Sequence, residues 1–201
     1  PTGRTVIALE PDATMRRQRP PGAAPCVIGI AQALPFDDNA FDAVMAISTV
    51  HQWTDLESGL TEMRRVARQR VVVMTSDPAA FGDYWLCAYA PALLEKEMPR
   101  FIPIPELEAL MGGAVETRAV LVPLHCTDGF NEAFYGRPEA LLDPLVRASQ
   151  SCWRRIGPEA EAEAVARLAA DLDSGAWDAR YGGLRTQPFY ESSWRLVVAE
   201  Y

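Results

Sequence analysis

Three short segments hold the side chains best suited to chemistry, and each follows an apolar run. Glu10 closes the run at 6–9. A carboxylate there can accept from both vicinal hydroxyls of a ribose; the plainer alternative is an exposed acid at a helix start, beside Asp12. The second segment, Gly29-Ile30-Ala31-Gln32-Ala33, ends the run at 26–30. The third, Ser48-Thr49-Val50-His51-Gln52-Trp53, follows the run at 41–48 and contains one of the two histidines. A neutral imidazole titrates near 6.5 and can take a proton at neutral pH, so His51 is the general-base candidate of this half of the chain. It could equally be a packing residue at a turn. His125, after another apolar run, reads as a satisfied structural histidine.

The elements that must position these groups follow from hydrophobic period and punctuation. Strands are expected over 5–9, 26–30, 41–48 and 70–75, near-continuous apolar runs of the kind that parallel strands covered on both faces show. Helices are expected over 12–19, capped by Asp12 and stopped by Pro20-Pro21-Gly22, and over 56–67, capped by Asp55. Strand–helix–strand alternation at this pitch specifies a parallel α/β sheet with right-handed crossovers. Between the second and third strands, Leu34-Pro35-Phe36 and the acidic tetrad Asp37-Asp38-Asn39-Ala40 make a proline-fixed turn into Phe41-Asp42. The second half is less regular. It reads as a helix over 81–97 kinked at Pro91, a short helix over 105–111 and a strand over 115–125 bent at Pro123. A helix over 138–151 interrupted at Pro144, a clear helix over 158–173 and a last strand over 194–200 complete it.

Glu10-Pro11, Gly29 with Ala31, Leu34-Pro35-Phe36, Phe41-Asp42, His51 with Trp53, and Glu62-Met63-Arg64-Arg65-Val66 occur in order across residues 5–76. In order and spacing this set resembles the class I S-adenosylmethionine-dependent methyltransferases, in their small-molecule branch. The resemblance implies an α/β, Rossmann-like, mostly parallel sheet with an antiparallel last strand, for which 115–123 and 194–200 would supply the pair. It also implies S-adenosylmethionine as cofactor and methyl transfer to a small-molecule acceptor. The family's glycine-rich loop belongs before the acidic strand. The sequence opens at Pro1-Thr2-Gly3-Arg4, so the implied fold lacks its first strand and that loop.

Carried onto this sequence, the family pattern puts Glu10 and Pro11 at the ribose and Ile30, Ala31 and Gln32 at the adenine. Family members usually place an acid where Ile30 stands; here an apolar residue either packs on the base or belongs to the core. Ser48, Thr49 and Trp53 would border the methionine end, with Trp53 walling the sulfonium by cation–π attraction or serving as a core aromatic. His51 would take the acceptor's proton. Asp128, Tyr135, Arg137 and Trp153 are candidates for the acceptor pocket, although Arg137 before Pro138 also suits a helix anchor. Glu62 with Arg64-Arg65 reads as a surface or helix-anchoring set, not a catalytic one. Asp128-Gly129-Phe130, Arg137-Pro138-Glu139 and Asp171-Leu172-x-Ser174-Gly175-x-Trp177 also resemble a subgroup of the family, with no chemistry attached.

Composition narrows the remaining choices. A chain of 201 residues with 49% hydrophobic content suits one sizeable core. We expect a single domain over 1–201, its core at 1–76, 115–125 and 194–201. Helical insertions at 77–113 and 126–190, which hold most of the Trp and Tyr residues, would form a lid over the strand ends or simply complete the sheet's shell. Net charge is −8 and no long basic cluster occurs, which disfavours nucleic acid. Four scattered cysteines and two histidines make no metal-ligand pattern, and reduced thiols suit a cytoplasmic protein. No apolar run reaches the ~18–20 residues of a membrane span. Oligomeric state is not encoded in any pattern. A non-catalytic relative, a binding or scaffold protein that keeps the sheet and has lost the cofactor loop, and a nicotinamide-dependent oxidoreductase using Glu10 on its ribose, are the competing functions.

Overall fold

The structure is a computed structural model and describes residues 3–201. Pro1 and Thr2, the start of the expected core, lie outside the described residues.

Two short strands, β1 (Ala8–Leu9) and β2 (Cys26–Val27), pair in parallel and flank helix α1 (Ala13–Arg17). Asp12 caps α1 by accepting the Met15 N–H at 2.8 Å. Both strands are shorter than the apolar runs suggested. Val6, Ile7 and Ile28 are exposed, so their hydrophobicity is not matched by pairing or burial.

The main sheet comprises β3 (Phe41–Ile47), β4 (Ala67–Ser76), β5 (Ala114–Pro123) and β6 (Phe189–Glu200), in the order β3-β4-β6-β5. β3 pairs with β4 in parallel, while β6 runs antiparallel to both β4 and β5. Hence β3, β4 and β5 point one way and only the last strand opposes them. This is the α/β, Rossmann-like, mostly parallel arrangement with an antiparallel final strand. Helix α2 (Leu56–Val66) runs straight into β4 without a loop. The polar stretch Arg68-Gln69-Arg70 is thus strand, its Arg70 facing Glu200 across the ladder at 3.2 Å.

Strand alternation sorts the sheet into two unlike faces. Ala46, Val71, Val73, Val197 and Ala199 are buried against Leu60 and Met63 of α2 and against Leu107 and Met111 of α5 (Ile104–Met111). The opposite face carries Met45 and Ile47 in register with Val72 and Met74, which pair with Val198 and Leu196. Met45 is 65% exposed and Ile47 46%, and the other four are half-buried. One side of this sheet is therefore packed under helices and the other is apolar and largely open.

A second hydrophobic cluster gathers the remaining helices: α3 (Leu86–Tyr89), α4 (Pro91–Glu97), α6 (Pro144–Ala148), α7 (Ser151–Ile156), α8 (Pro158–Ser174) and α9 (Ala176–Tyr181). The helix expected over 81–97 is broken into a 3-10 turn, α3 and α4, because Pro91 cannot donate and starts a new helix instead. Pro144 divides the 138–151 segment in the same way. Gly175, at φ 78°, ends α8 in the left-handed conformation that suits glycine. The aromatic motifs of this half are packing devices. Trp177 is fully buried against Trp85, and Asp171 accepts the Tyr89 hydroxyl at 2.7 Å. Glu139 pairs with Arg185 at 2.6 Å.

Candidate functional site

Strand tips at the C-terminal end of a parallel sheet are where α/β proteins bind ligands. Glu10 lies directly after β1, its N–H donating to the Val27 carbonyl at 3.1 Å. Its Oε1 accepts the Asp12 N–H at 2.9 Å, and Oε2 has no partner among the described residues. Arg16 donates to the carbonyls of Glu10 and Pro11 at 2.8 and 2.7 Å, which fixes the turn. Glu10 thus tightens the helix start, the plainer of its two expected roles, with one carboxylate oxygen engaged there.

The segment after β2 is pulled toward this turn by a close approach. A Cβ on Gly29 would lie 2.8 Å from Leu9 Cδ1 and 3.1 Å from Pro35 Cδ, so only glycine lets the three meet. Ile30 is 51% exposed, which removes the core alternative for it. Gln32 is directed to α2, its Nε2 donating to the Asp55 carbonyl at 3.2 Å. The same helix holds the following proline turn. Glu62 accepts the Leu34 N–H at 2.8 Å, and Arg65 donates to Glu62, Asp38 and the carbonyls of Leu34 and Phe36. These bonds lower the Glu62 carboxyl below its usual range, Arg65 foremost. The anchoring role expected for this pair is what the structure contains.

At the tip of β3, Ser48 has φ 52°, a left-handed value that a serine adopts only under constraint. Its N–H donates to the Met74 carbonyl at 2.8 Å, which supplies that constraint. Thr49 then leads into a 3-10 turn, Val50–Gln52, anchored by buried Val50. Trp53 lies flat on α2: a Cβ on Gly59 would be 2.5 Å from its ring and 3.4 Å from Ala31 Cβ. The three segments meet at these two glycines, Leu9 against Gly29 and both Ala31 and Trp53 against Gly59.

His51 turns the other way. Its ring packs on Phe101 at 4.6 Å between centroids, next to Arg100, Glu97 and Arg155. Its Nδ1 is buried with no partner. Burial, then the Arg100 charge, drives its pKa down to about 4, so the ring is neutral at physiological pH and only weakly basic. Phe101 and Arg100 are fifty residues away in sequence, with no local signal linking them to the histidine.

The four acceptor-side residues separate into two pairs. Asp128 and Arg137 line an open cavity of about 540 Å³ just beyond the C-terminal end of β5, with His125, Phe134 and Leu145. Tyr135 and Trp153 do not. Both are buried in the helical cluster with their polar atoms engaged, Tyr135 donating to the Gln187 carbonyl at 2.6 Å and Trp153 Nε1 to Asn131 Oδ1 at 3.0 Å. A smaller polar cavity of about 350 Å³ lies at Gln32, Asp55 and Glu62. Among the described residues no group of three His, Cys, Asp or Glu side chains could hold a metal ion, and no helix is long and apolar enough to cross a membrane.

Residues 1–75 match the model of the methyltransferase domain family. The uncharacterised protein YafE of Escherichia coli (strain K12) is 39% identical over 62 residues, 29% of this chain and 30% of that protein. The chain thus spans under a third of that curated relative. A crystal structure from Anabaena variabilis ATCC 29413, described as a methyltransferase from an antibiotic biosynthesis pathway, superposes with a TM-score of 0.89 at 29% identity. That match covers 97% of this chain and 81% of the Anabaena chain. A SAM-dependent methyltransferase from Thermotoga maritima shares the fold, with a TM-score of 0.52 at 14% identity over 96% of this chain and 71% of its own. Residues 1–75 thus resemble the methyltransferase domain family, and the chain as a whole has the fold of the class I, Rossmann-like methyltransferases.

Proposed function

We propose that the protein uses S-adenosylmethionine to methylate a small-molecule acceptor. The observation that carries the reading is the convergence of three strand-tip segments, tied together by the Gly29 and Gly59 contacts. The residues fit the cofactor in chemistry. Glu10 keeps one carboxylate oxygen for the ribose, Pro11 shapes its turn, and exposed Ile30 offers an apolar face to adenine beside Ala31 and Gln32. Ser48, Thr49 and Trp53 would surround the methionine end. When bound, the cofactor supplies an electrophilic methyl group on a positively charged sulfur.

The chain's own contribution is mainly placement, which can account for much of the acceleration of an in-line displacement. As the acceptor–carbon bond forms and the carbon–sulfur bond breaks, the acceptor loses a proton. His51 is the base candidate of this reading and is neutral at pH 7, but with Nδ1 buried and a pKa of about 4 it would receive a proton only through Nε2, from an acceptor that holds its proton weakly. In this reading residues 1–201 act as one domain in the cytoplasm, without nucleic acid or membrane, and the helices of 77–113 and 126–190 cover the strand ends. The place of the Anabaena relative in antibiotic biosynthesis supports a small organic acceptor.

A binding protein without transferase activity is the competing reading, favoured by Ile30 in the acid's position and by the weak basicity of His51. Isothermal titration with S-adenosylhomocysteine, followed by a methyl-release assay over an acceptor library, separates the two. Turnover of an acceptor supports the first reading; binding without turnover of any acceptor, or no heat at millimolar ligand, discards the transferase and leaves the second.

A further inference from the structure

Arg137 has no acid paired with it among the described residues, and unlike Arg154, Arg167 and Arg180, which also lack one, it lines the cavity beyond β5. Its neighbour Glu139 is taken by Arg185, and Glu132 is buried on Ser193 at 2.6 and 2.9 Å. One terminal nitrogen, Nη2, is fixed by the carbonyls of Cys126 and Ala133 at 2.8 and 2.9 Å. The guanidinium carbon lies 5.2 Å from the centre of the Phe134 ring, and Nε is buried with no partner. That leaves a full positive charge, oriented by two carbonyls and an aromatic ring, with Nη1 free of any acceptor among the described residues. It sits in the wall of the 540 Å³ cavity beyond β5, beside Phe134, Leu145 and Val146. Leu145 lines this cavity and is 78% exposed.

A half-buried cation with one unused edge and an apolar surround is matched by an anion that carries an apolar body. The anion's charge is also constrained. Asp128 shares the wall, with Oδ1 on the Gly129 N–H at 2.8 Å, and would repel a dianion. A single free N–H edge likewise suits one oxygen of a monoanion better than a phosphate, which takes several donors. We propose that this cavity binds an organic carboxylate with an apolar chain or ring, the carboxylate on Arg137 and the apolar part on Phe134, Leu145 and Val146. Because β5 runs parallel to β3 and β4, the cavity opens at the same end of the sheet as Ser48 and Ser76. The inference rests on the transferase reading only in making this carboxylic acid the acceptor.

The test is thermal shift and isothermal titration of the full chain with octanoate, with octanamide as the uncharged isostere and with inorganic phosphate, all without cofactor. Saturable binding of octanoate is expected, with neither control binding. Leu145→Asp, at an exposed site that leaves the fold alone, should weaken octanoate roughly tenfold by adding a like charge and removing an apolar contact. Arg137→Gln should abolish binding. Should that variant fail to fold for want of its two carbonyl contacts, Leu145→Asp decides alone. Equal binding of octanamide, tight binding of phosphate alone, no saturation of octanoate by about 10 mM, or octanoate binding unaltered in Leu145→Asp would each overturn the proposal. Titration with S-adenosylhomocysteine is a separate measurement, so failure here leaves the cofactor reading standing and failure there leaves this site standing.

Discussion

His51 offers the sharpest quantitative handle on the molecule. Its ring is half-buried on Phe101, and burial together with the Arg100 charge depresses its pKa from 6.5 to about 4. In the unfolded chain the imidazole protonates as pH falls through 6.5; in the folded chain it stays neutral until about 4. The unfolded state then binds more protons between those values, so stability is full above 6.5 and declines as pH falls toward 4. Each tenfold difference is worth about 1.4 kcal/mol, which gives ~2 kcal/mol between pH 7 and pH 5. Solvent screening of a half-exposed ring reduces this to roughly 1 kcal/mol. His51→Phe keeps an aromatic against Phe101 and removes the titration. Urea unfolding at pH 7 and pH 5 should show wild type losing about 1 kcal/mol more than the variant over that interval. The imidazole Cε1 proton, followed by NMR, should shift with a midpoint near the same low value of about 4. Identical pH slopes for the two proteins, or an NMR midpoint at 6 or higher, would refute the burial argument and return His51 to the ranks of ordinary general bases.

Three other outcomes follow from the packing. Gly59→Val places side-chain carbon where the Trp53 ring lies and should destabilise by about 1–3 kcal/mol, read as a lower urea midpoint with altered Trp fluorescence. Glu132 is buried on Ser193 with its carboxyl held above the ordinary 4.5, chiefly by burial. Its contribution is fullest below 4.5 and is lost as pH rises through the folded-state value. Glu132→Gln should therefore flatten the decline in melting temperature on the alkaline side of 4.5, and an unchanged decline would remove Glu132 as its source. Finally, Val73→Lys and Met45→Lys add the same charge to opposite faces of the sheet. The first should cost several kcal/mol and the second about 1 kcal/mol or less, so comparable losses by circular dichroism would contradict the assignment of a covered and an open face.

How much of this was legible in the sequence depended on how local the determining forces are. Helix α8 was readable to within a residue, since Pro158 at its start and Gly175 at its end act through their own backbone geometry. The antiparallel partnership of β5 and β6 was likewise anticipated, through the family resemblance. β1 and β2 were overextended because an apolar run signals a strand only when neighbours exist to pair with it, and Val6, Ile7 and Ile28 have none. The start of β4 was placed three residues late because Arg68-Gln69-Arg70 reads as a polar turn until Glu200 is set across from it. The site divided in the same manner. Glu10, Ile30 and Ser48 sit where strand-end logic puts them, whereas the turn of His51 toward Phe101 and the burial of Tyr135 and Trp153 depend on contacts spanning tens of residues. An aromatic side chain that lines a pocket and one that fills a core have the same sequence signature, and only the tertiary packing tells them apart.

The open side of the sheet, exposed at Met45 and Ile47 and half-buried at Val72, Met74, Leu196 and Val198, would also bear on how chains of residues 1–201 meet one another in solution. Two such surfaces attract at short range, and a net charge of −8 holds the particles apart at long range. Adding sulfate shrinks the reach of the repulsion while strengthening the attraction, so colloidal stability should collapse as salt rises. Dilute, low-salt buffer is the condition this surface calls for, and light scattering across a salt series would trace the balance directly.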